Sequence, residues 1–148
     1  MASKVEGNQW IGLRISVVSN RYTAPLYAEI ERRYGLLRDE AAVLVAIAND
    51  EGSNAQEIVQ HTGRPKNTIS RAVRQLEADG RIRRKSDRQD GRALNLRLTA
   101  TGKALFEQLK GLCADFDMTL MARLEPAERG EFNRLLNKLL DPKGEIPE

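Results

Sequence analysis

The sequence predicts a mainly helical fold carrying one small β-hairpin. Three observations point there. Stripes of apolar residues at helical spacing lie near both ends, two short amphipathic segments meet at Gly63, and one segment alternates apolar and polar residues beside an Asp-Gly pair. A period near 3.6 marks one face of a helix, and a period of 2 marks a half-buried strand.

The first stripe is Ile11, Ile15, Val18 and Tyr22, on a long helix. Pro25 is expected to kink or break that helix, because proline removes a donor and its ring crowds the preceding turn. Tyr34-Gly35-Leu36 precedes a second helix. Ser53 reads as the N-cap of the third, with Gln56 three residues on completing a capping box and Gly63 closing the helix. Pro65 suits the first turn of the next helix, and Gly80 suits its stop. In that helix Ile69, Val73 and Leu76, with Ala72, form the buried side, while Asn67, Ser70, Arg71, Arg74 and Gln75 fall opposite.

A hairpin follows. It leaves through Ile82-Arg83-Arg84-Lys85, turns at Asp90-Gly91 and returns with Leu94, Leu96 and Leu98 alternating with Asn95 and Arg97. Leu105, Leu109, Leu112, Phe116 and Leu120 then stripe a helix that starts near Thr101. Phe132, Leu135, Leu136, Leu139 and Leu140 stripe the last helix, after Glu125-Pro126. One small domain cannot cover three such stripes by itself, so self-association is expected; the plainer alternative is that the stripes only wrap one another.

Charge coincides with this plan. From Arg64 to Arg97 eleven Lys/Arg face four acids, a balance of +7. The whole chain is +3, which leaves −4 for the rest. A basic element on a mildly acidic body is the electrostatic footprint of a nucleic-acid reader. Two short helices joined by a tight turn, the second with a polar cationic face, make a helix-turn-helix, and a basic hairpin directly after it is a wing. An ordinary helical hairpin with a solvated basic face is the plainer alternative, and the basic hairpin argues against it.

The run Asp90-Gly91-Arg92 followed by Leu98-Thr99-Ala100-Thr101-Gly102 resembles the wing motif of the MarR family of bacterial winged-helix regulators. Tyr34-Gly35-Leu36, and Ser70-Arg71-Ala72-Val73 with Leu76 and Gly80, are similar to that family too. The likeness runs from about residue 8 to 141. Two positions depart from it: Ala41 stands where many members carry Trp, near the family's usual effector pocket, and Arg81 stands where an apolar residue is usual. The resemblance implies a single domain over residues 1–148. Segments of about 8–35 and 101–141 would dimerise, about 38–99 would form the winged helix-turn-helix, and 1–7 and 142–148 would be flexible tails. It implies a homodimeric, cytoplasmic, sequence-specific regulator of transcription that binds double-stranded DNA at a pseudo-palindrome. Such a regulator would act as a repressor released by a small anionic or aromatic effector. A nonspecific DNA-coating or protein-interaction module is the alternative.

The expected DNA contacts follow residue by residue. Asn67, Ser70, Arg71 and Arg74 are placed in the major groove, because Asn, Ser and Arg can read base edges as well as phosphates. Lys66 and Thr68 would anchor the backbone at the helix start. Arg88 and Arg92, the latter held by Asp90, would enter or flank the minor groove. An effector site is sought on the first helix, where Trp10, Arg14 and Arg21 share a stripe suited to an aromatic acid. Pairing of these arginines with acids on a partner subunit, or plain solvation, is the simpler reading.

Catalysis finds no support. His61 and Cys113 are the only His and Cys, they stand on separate helices, and no metal spacing or Gly-rich phosphate loop exists, so no cofactor and no metal are expected. Cys113 reads as a small packed hydrophobe and His61 as a surface or capping residue. No apolar run reaches the length of a membrane span, and the N-terminus lacks the order of a signal peptide.

Overall fold

The computed structural model describes residues 10–86 and 94–141. Their elements run α1 (Ile11–Tyr34), α2 (Arg38–Asn49), α3 (Ala55–Thr62), α4 (Lys66–Ala78), β1 (Ile82–Ser86), β2 (Leu94–Leu98), α5 (Ala100–Met121) and α6 (Pro126–Leu140). The expected mainly helical fold with one hairpin is therefore present. The chain divides into two compact units, with the boundary inside α5 between Cys113 and Ala114.

In the first unit the core lies where α2, α3 and α4 meet the hairpin. Leu36, Val43, Leu44, Ile47, Ile58, Ile69, Leu76, Ile82 and Leu96 are almost wholly buried there. Truncating one of these, for example Leu44→Ala, costs about 2–5 kcal/mol by lost transfer energy and the cavity left behind. β1 and β2 pair antiparallel, with Ile82 opposite Leu98 and Arg84 opposite Leu96. Gly52 and Ser53 join the other edge of β2. The Gly52 N–H donates to the Leu96 carbonyl at 3.1 Å, and the Leu96 N–H donates to the Ser53 carbonyl at 3.0 Å.

Helix ends explain the local boundaries. Gly35 and Gly63 stop α1 and α3 in the left-handed conformation that glycine adopts without strain. After α4, the Arg81 N–H reaches back to the Leu76 carbonyl at 2.8 Å, and the Gly80 N–H donates to Glu77 at 3.0 Å. This pairing satisfies carbonyls that the helix end leaves open.

Two expectations are revised. Of the kink or break expected at Pro25, the break does not occur: α1 runs through it for 24 residues. The ring costs one hydrogen bond, to the carbonyl of Arg21, and both residues are exposed, so water can satisfy that carbonyl. The N-cap of α3 is Asn54, not Ser53: its Oδ1 accepts from Gln56 and Glu57, while Glu57 accepts from the Asn54 N–H. Ser53 is unavailable because it is buried and its hydroxyl donates to the Asp50 carbonyl at 2.8 Å.

In the second unit α6 starts with the Glu125 N–H donating to the Glu128 carboxylate at 2.8 Å. None of its residues is buried, and Leu139 is 73% exposed.

Candidate nucleic-acid interface

α4 divides as its sequence demands. Ile69, Ala72, Val73 and Leu76 are buried. Lys66, Asn67, Arg71, Arg74 and Gln75 are exposed, and Thr68 and Ser70 are half-buried. Pro65 is the N-cap rather than the first helical residue, and its carbonyl accepts from Thr68 and Ile69 at 3.0 and 3.1 Å. The N–H groups of Lys66 and Asn67 come before the first of these bonds, so they can meet an anion at the helix start.

Two clefts flank the outer face of α4. One, of about 270 Å³, lies between α4 and the start of α2 and is lined by Leu37, Asp39, Glu40, Asn67, Thr68, Arg71 and Ala72. Arg64 pairs with Asp39 and so ties the turn before α4 to that same end of α2. The other cleft, of about 220 Å³, lies between α4 and the hairpin, lined by Ala55, Ser70, Val73, Arg74, Arg84 and Leu96. Arg84 stands 3.0 Å from the Glu77 carboxylate. Arg84 was missed among the candidate contacts. Strand alternation was the available signal, since it puts Arg84 on the same side of β1 as Ile82 and so toward α4.

The base of the wing is held firmly. The Thr99 hydroxyl donates to the Gly80 carbonyl at 2.7 Å and accepts from the Gly102 N–H at 3.1 Å, so it caps α5 and ties it to the end of α4. Glu51 lies 3.9 Å from Arg97 on β2 and 3.6 Å from Lys103 on α5. Arg83 and Lys85 are exposed on β1. Arg88, Asp90 and Arg92 lie outside the described residues.

The effector candidates sit elsewhere. Trp10, Arg14 and Arg21 are exposed on or just before α1. None of them lines a third, roomier groove of about 650 Å³. Its walls are Leu26, Tyr27, Ala41, Ala42, Val45, Ala46, Asn49, Asp50, His61, Thr62 and Cys113. Ala41, which stands where many members of the resembling family carry Trp, is one of these walls. His61 is exposed and Cys113 half-buried. Among the described residues no group of His, Cys, Asp or Glu could hold a metal ion, and no helix is long and apolar enough to cross a membrane.

A model of the MarR family matches residues 34–93, which span the helix-turn-helix and the first strand of the hairpin. The HTH-type transcriptional repressor Rv2887 of Mycobacterium tuberculosis is 30% identical over 105 residues, covering 71% of this chain and 76% of the relative. The chain belongs to the MarR family. Solved structures agree over nearly the full length. A probable transcriptional regulator from Pseudomonas aeruginosa is 27% identical and covers 88% of this chain and 97% of its own, with a TM-score of 0.74. A MarR-family regulator from Silicibacter pomeroyi is 25% identical and covers 94% and 92%, with a TM-score of 0.79. The Rv2887 protein in complex with salicylic acid is 26% identical and covers 87% and 95%, with a TM-score of 0.73. The MarR family consists of transcriptional regulators, and this member is a winged-helix, DNA-binding regulator.

Proposed function

We propose that the chain acts as a two-fold dimer that represses transcription from a pseudo-palindromic operator and leaves the DNA when a small aromatic acid binds. The observation that carries the DNA reading is the outer face of α4. It presents Asn67, Arg71 and Arg74 exposed beside half-buried Thr68 and Ser70, between two clefts that end in Asp39 on one side and Arg84 on the other. Phosphate attraction needs only cations, whereas Asn, Ser and Thr add the donors and acceptors that read base edges. Lys66 and Thr68 anchor the backbone. Arg88 and Arg92, with Asp90 holding the latter, serve the minor groove, and Arg84 adds a contact between helix and wing.

Dimerisation is supported by uncovered apolar side chains. Ile11, Ile15 and Val18 on α1 are exposed, and so are Phe132, Leu135, Leu136, Leu139 and Leu140 on α6. Patches of that kind mark association surfaces. Ligand response is supported by relatives: the Rv2887 protein binds salicylic acid, and a regulator of the same fold from Bordetella bronchiseptica is regulated by 6-hydroxynicotinic acid. The groove between Tyr27 and Cys113 suits that role better than the exposed Trp10, Arg14 and Arg21.

Selection from a random-sequence duplex pool tests the DNA reading. Enrichment of a pseudo-palindrome is expected. Retention of DNA with no enriched sequence would instead establish a nonspecific coating protein.

A further inference from the structure

Leu37 departs from two rules at once. The first concerns exposure, since 54% of the residue is open to solvent. Every other exposed large apolar side chain among the described residues lies on α1, α5 or α6, or at Trp10 just before α1. Those on α1 and α6 belong to the surfaces offered above for dimerisation. Leu37 instead lies in the winged helix, at the start of α2, and lines the cleft that holds Asn67, Thr68 and Arg71.

The second rule concerns capping, because Leu37 is the N-cap of α2. Ser, Thr, Asn and Asp are preferred there, since their side-chain oxygen accepts from an N–H that the first turn leaves open. Leucine has no such oxygen, so α2 gives up stability by carrying it. Its backbone is nevertheless well held. The Leu37 N–H donates to the Glu40 carboxylate at 2.9 Å, and the Leu37 carbonyl accepts from the Ala41 N–H at 3.0 Å. Asp39 pairs with Arg64 and so ties this end of α2 to the turn before α4. The place of Leu37 beside Asn67 and Arg71 is therefore set by contacts that do not involve its side chain. A residue that breaks a local rule beside a functional face marks a functional position.

We infer that Leu37 reads a thymine in each half-site, its side chain packing on the C5 methyl group beside the bases that α4 reads. The inference rests on the sequence-specific reading above. A half-exposed leucine recognises another apolar group, and in the major groove the thymine methyl is the apolar mark that distinguishes one base from the rest. Asn and Arg side chains pair with adenine and guanine there, so a methyl contact adds a pyrimidine that Asn67 and Arg71 do not address. The start of α2 thus becomes a second reading element, joined to the recognition helix across one cleft.

The test takes the operator that the full chain selects and replaces each thymine of one half-site in turn by deoxyuridine, a change that removes only the methyl group. Wild type is expected to lose about fourfold in affinity at one of these positions, the effect of burying one methyl group. Leu37→Ser supplies the missing cap oxygen, so its melting temperature should hold or rise. It should bind the thymine and deoxyuridine duplexes equally, and both more weakly than wild type binds the thymine duplex. Leu37→Met stays apolar and should keep most of the preference. Indifference of wild type to every exchange overturns the inference, as does a Leu37→Ser variant that still loses about fourfold on the same duplex. If selection enriches no sequence, the regulator reading falls and this inference with it. If it enriches an operator whose thymines can all be exchanged without loss, this inference falls alone.

Discussion

The carbonyl oxygen of Arg81 lies 2.0 Å from where a Cβ on Gly102 would stand. No side chain fits there, because the obstacle is backbone, pinned by the Thr99 N–H at 3.1 Å. Gly102 therefore lets the first turn of α5 lie against the end of α4 and the root of the wing. Gly102→Ala is expected to destabilise the fold by about 1–3 kcal/mol, the usual range for overpacking. Gly111→Ala is the control, since Gly111 is exposed in the same helix with nothing within 4 Å of its added Cβ. It should be neutral or stabilising by up to about 1 kcal/mol. Urea unfolding of both variants checks the pair, and equal stability would show that the Arg81 backbone gives way.

Glu29 supplies a pH prediction. Its carboxylate accepts from Arg32 at 2.8 and 2.7 Å and from Arg33, and these contacts, Arg32 first, lower its pKa to about 2. A carboxyl depressed on folding adds stability above its unfolded pKa of about 4.3. That contribution fades as pH falls from there through about 2. Carboxyl titration by NMR should find the Glu29 midpoint at about 2. Arg32→Ala should raise it more than Arg33→Ala, and added salt should weaken the effect. An ordinary midpoint for Glu29 would mean that the pairing is not kept in solution.

Much of this was legible in the sequence, and what was not has physical causes. The two sides of α4 could be read because Ile69, Val73 and Leu76 repeat at helical spacing, and burial follows that period. The cap of α3 was misplaced by one residue because Ser53 and Asn54 are both good caps. Ser53 is withdrawn by its hydroxyl bond to the Asp50 carbonyl and by burial beside Leu96, whose N–H it accepts over more than forty positions. Gly102 was recognisable as part of a motif, but its reason is a carbonyl 21 residues earlier. The groove was least legible. Alanines and a valine of α2 carry no chemical signature until folding brings Tyr27, His61 and Cys113 around them.

Association can be broken on α6. Leu135 and Leu139 are one turn apart and exposed, so each is a candidate for the interface. Wild type should be a dimer at micromolar concentration by light scattering. Leu135→Glu with Leu139→Glu should give a monomer with native helical content and weakened operator binding. The two recognition helices of the dimer should sit about 34–36 Å apart, one turn of DNA, with half-site centres about ten base pairs apart. A wild-type monomer would overturn the two-fold reading and its palindrome together.

The last prediction separates base reading from phosphate attraction on one helix. Arg71 is exposed on α4 and borders the cleft shared with Asn67 and Thr68, while Lys66 stands at the helix start. A bidentate base contact is worth about 1–3 kcal/mol of discrimination, so Arg71→Ala should lose that much affinity for the selected operator. It should lose little on unrelated DNA, and its preference should relax at one position in each half-site. Lys66→Ala should behave otherwise. A phosphate contact carries no sequence information, so the variant should bind every duplex more weakly and lower the magnitude of the log K against log[salt] slope by about one. Selection and salt titration on both variants distinguish the roles. If Arg71→Ala weakens all sequences equally, Arg71 grips the backbone, and sequence reading passes to Asn67, Ser70 and Arg74.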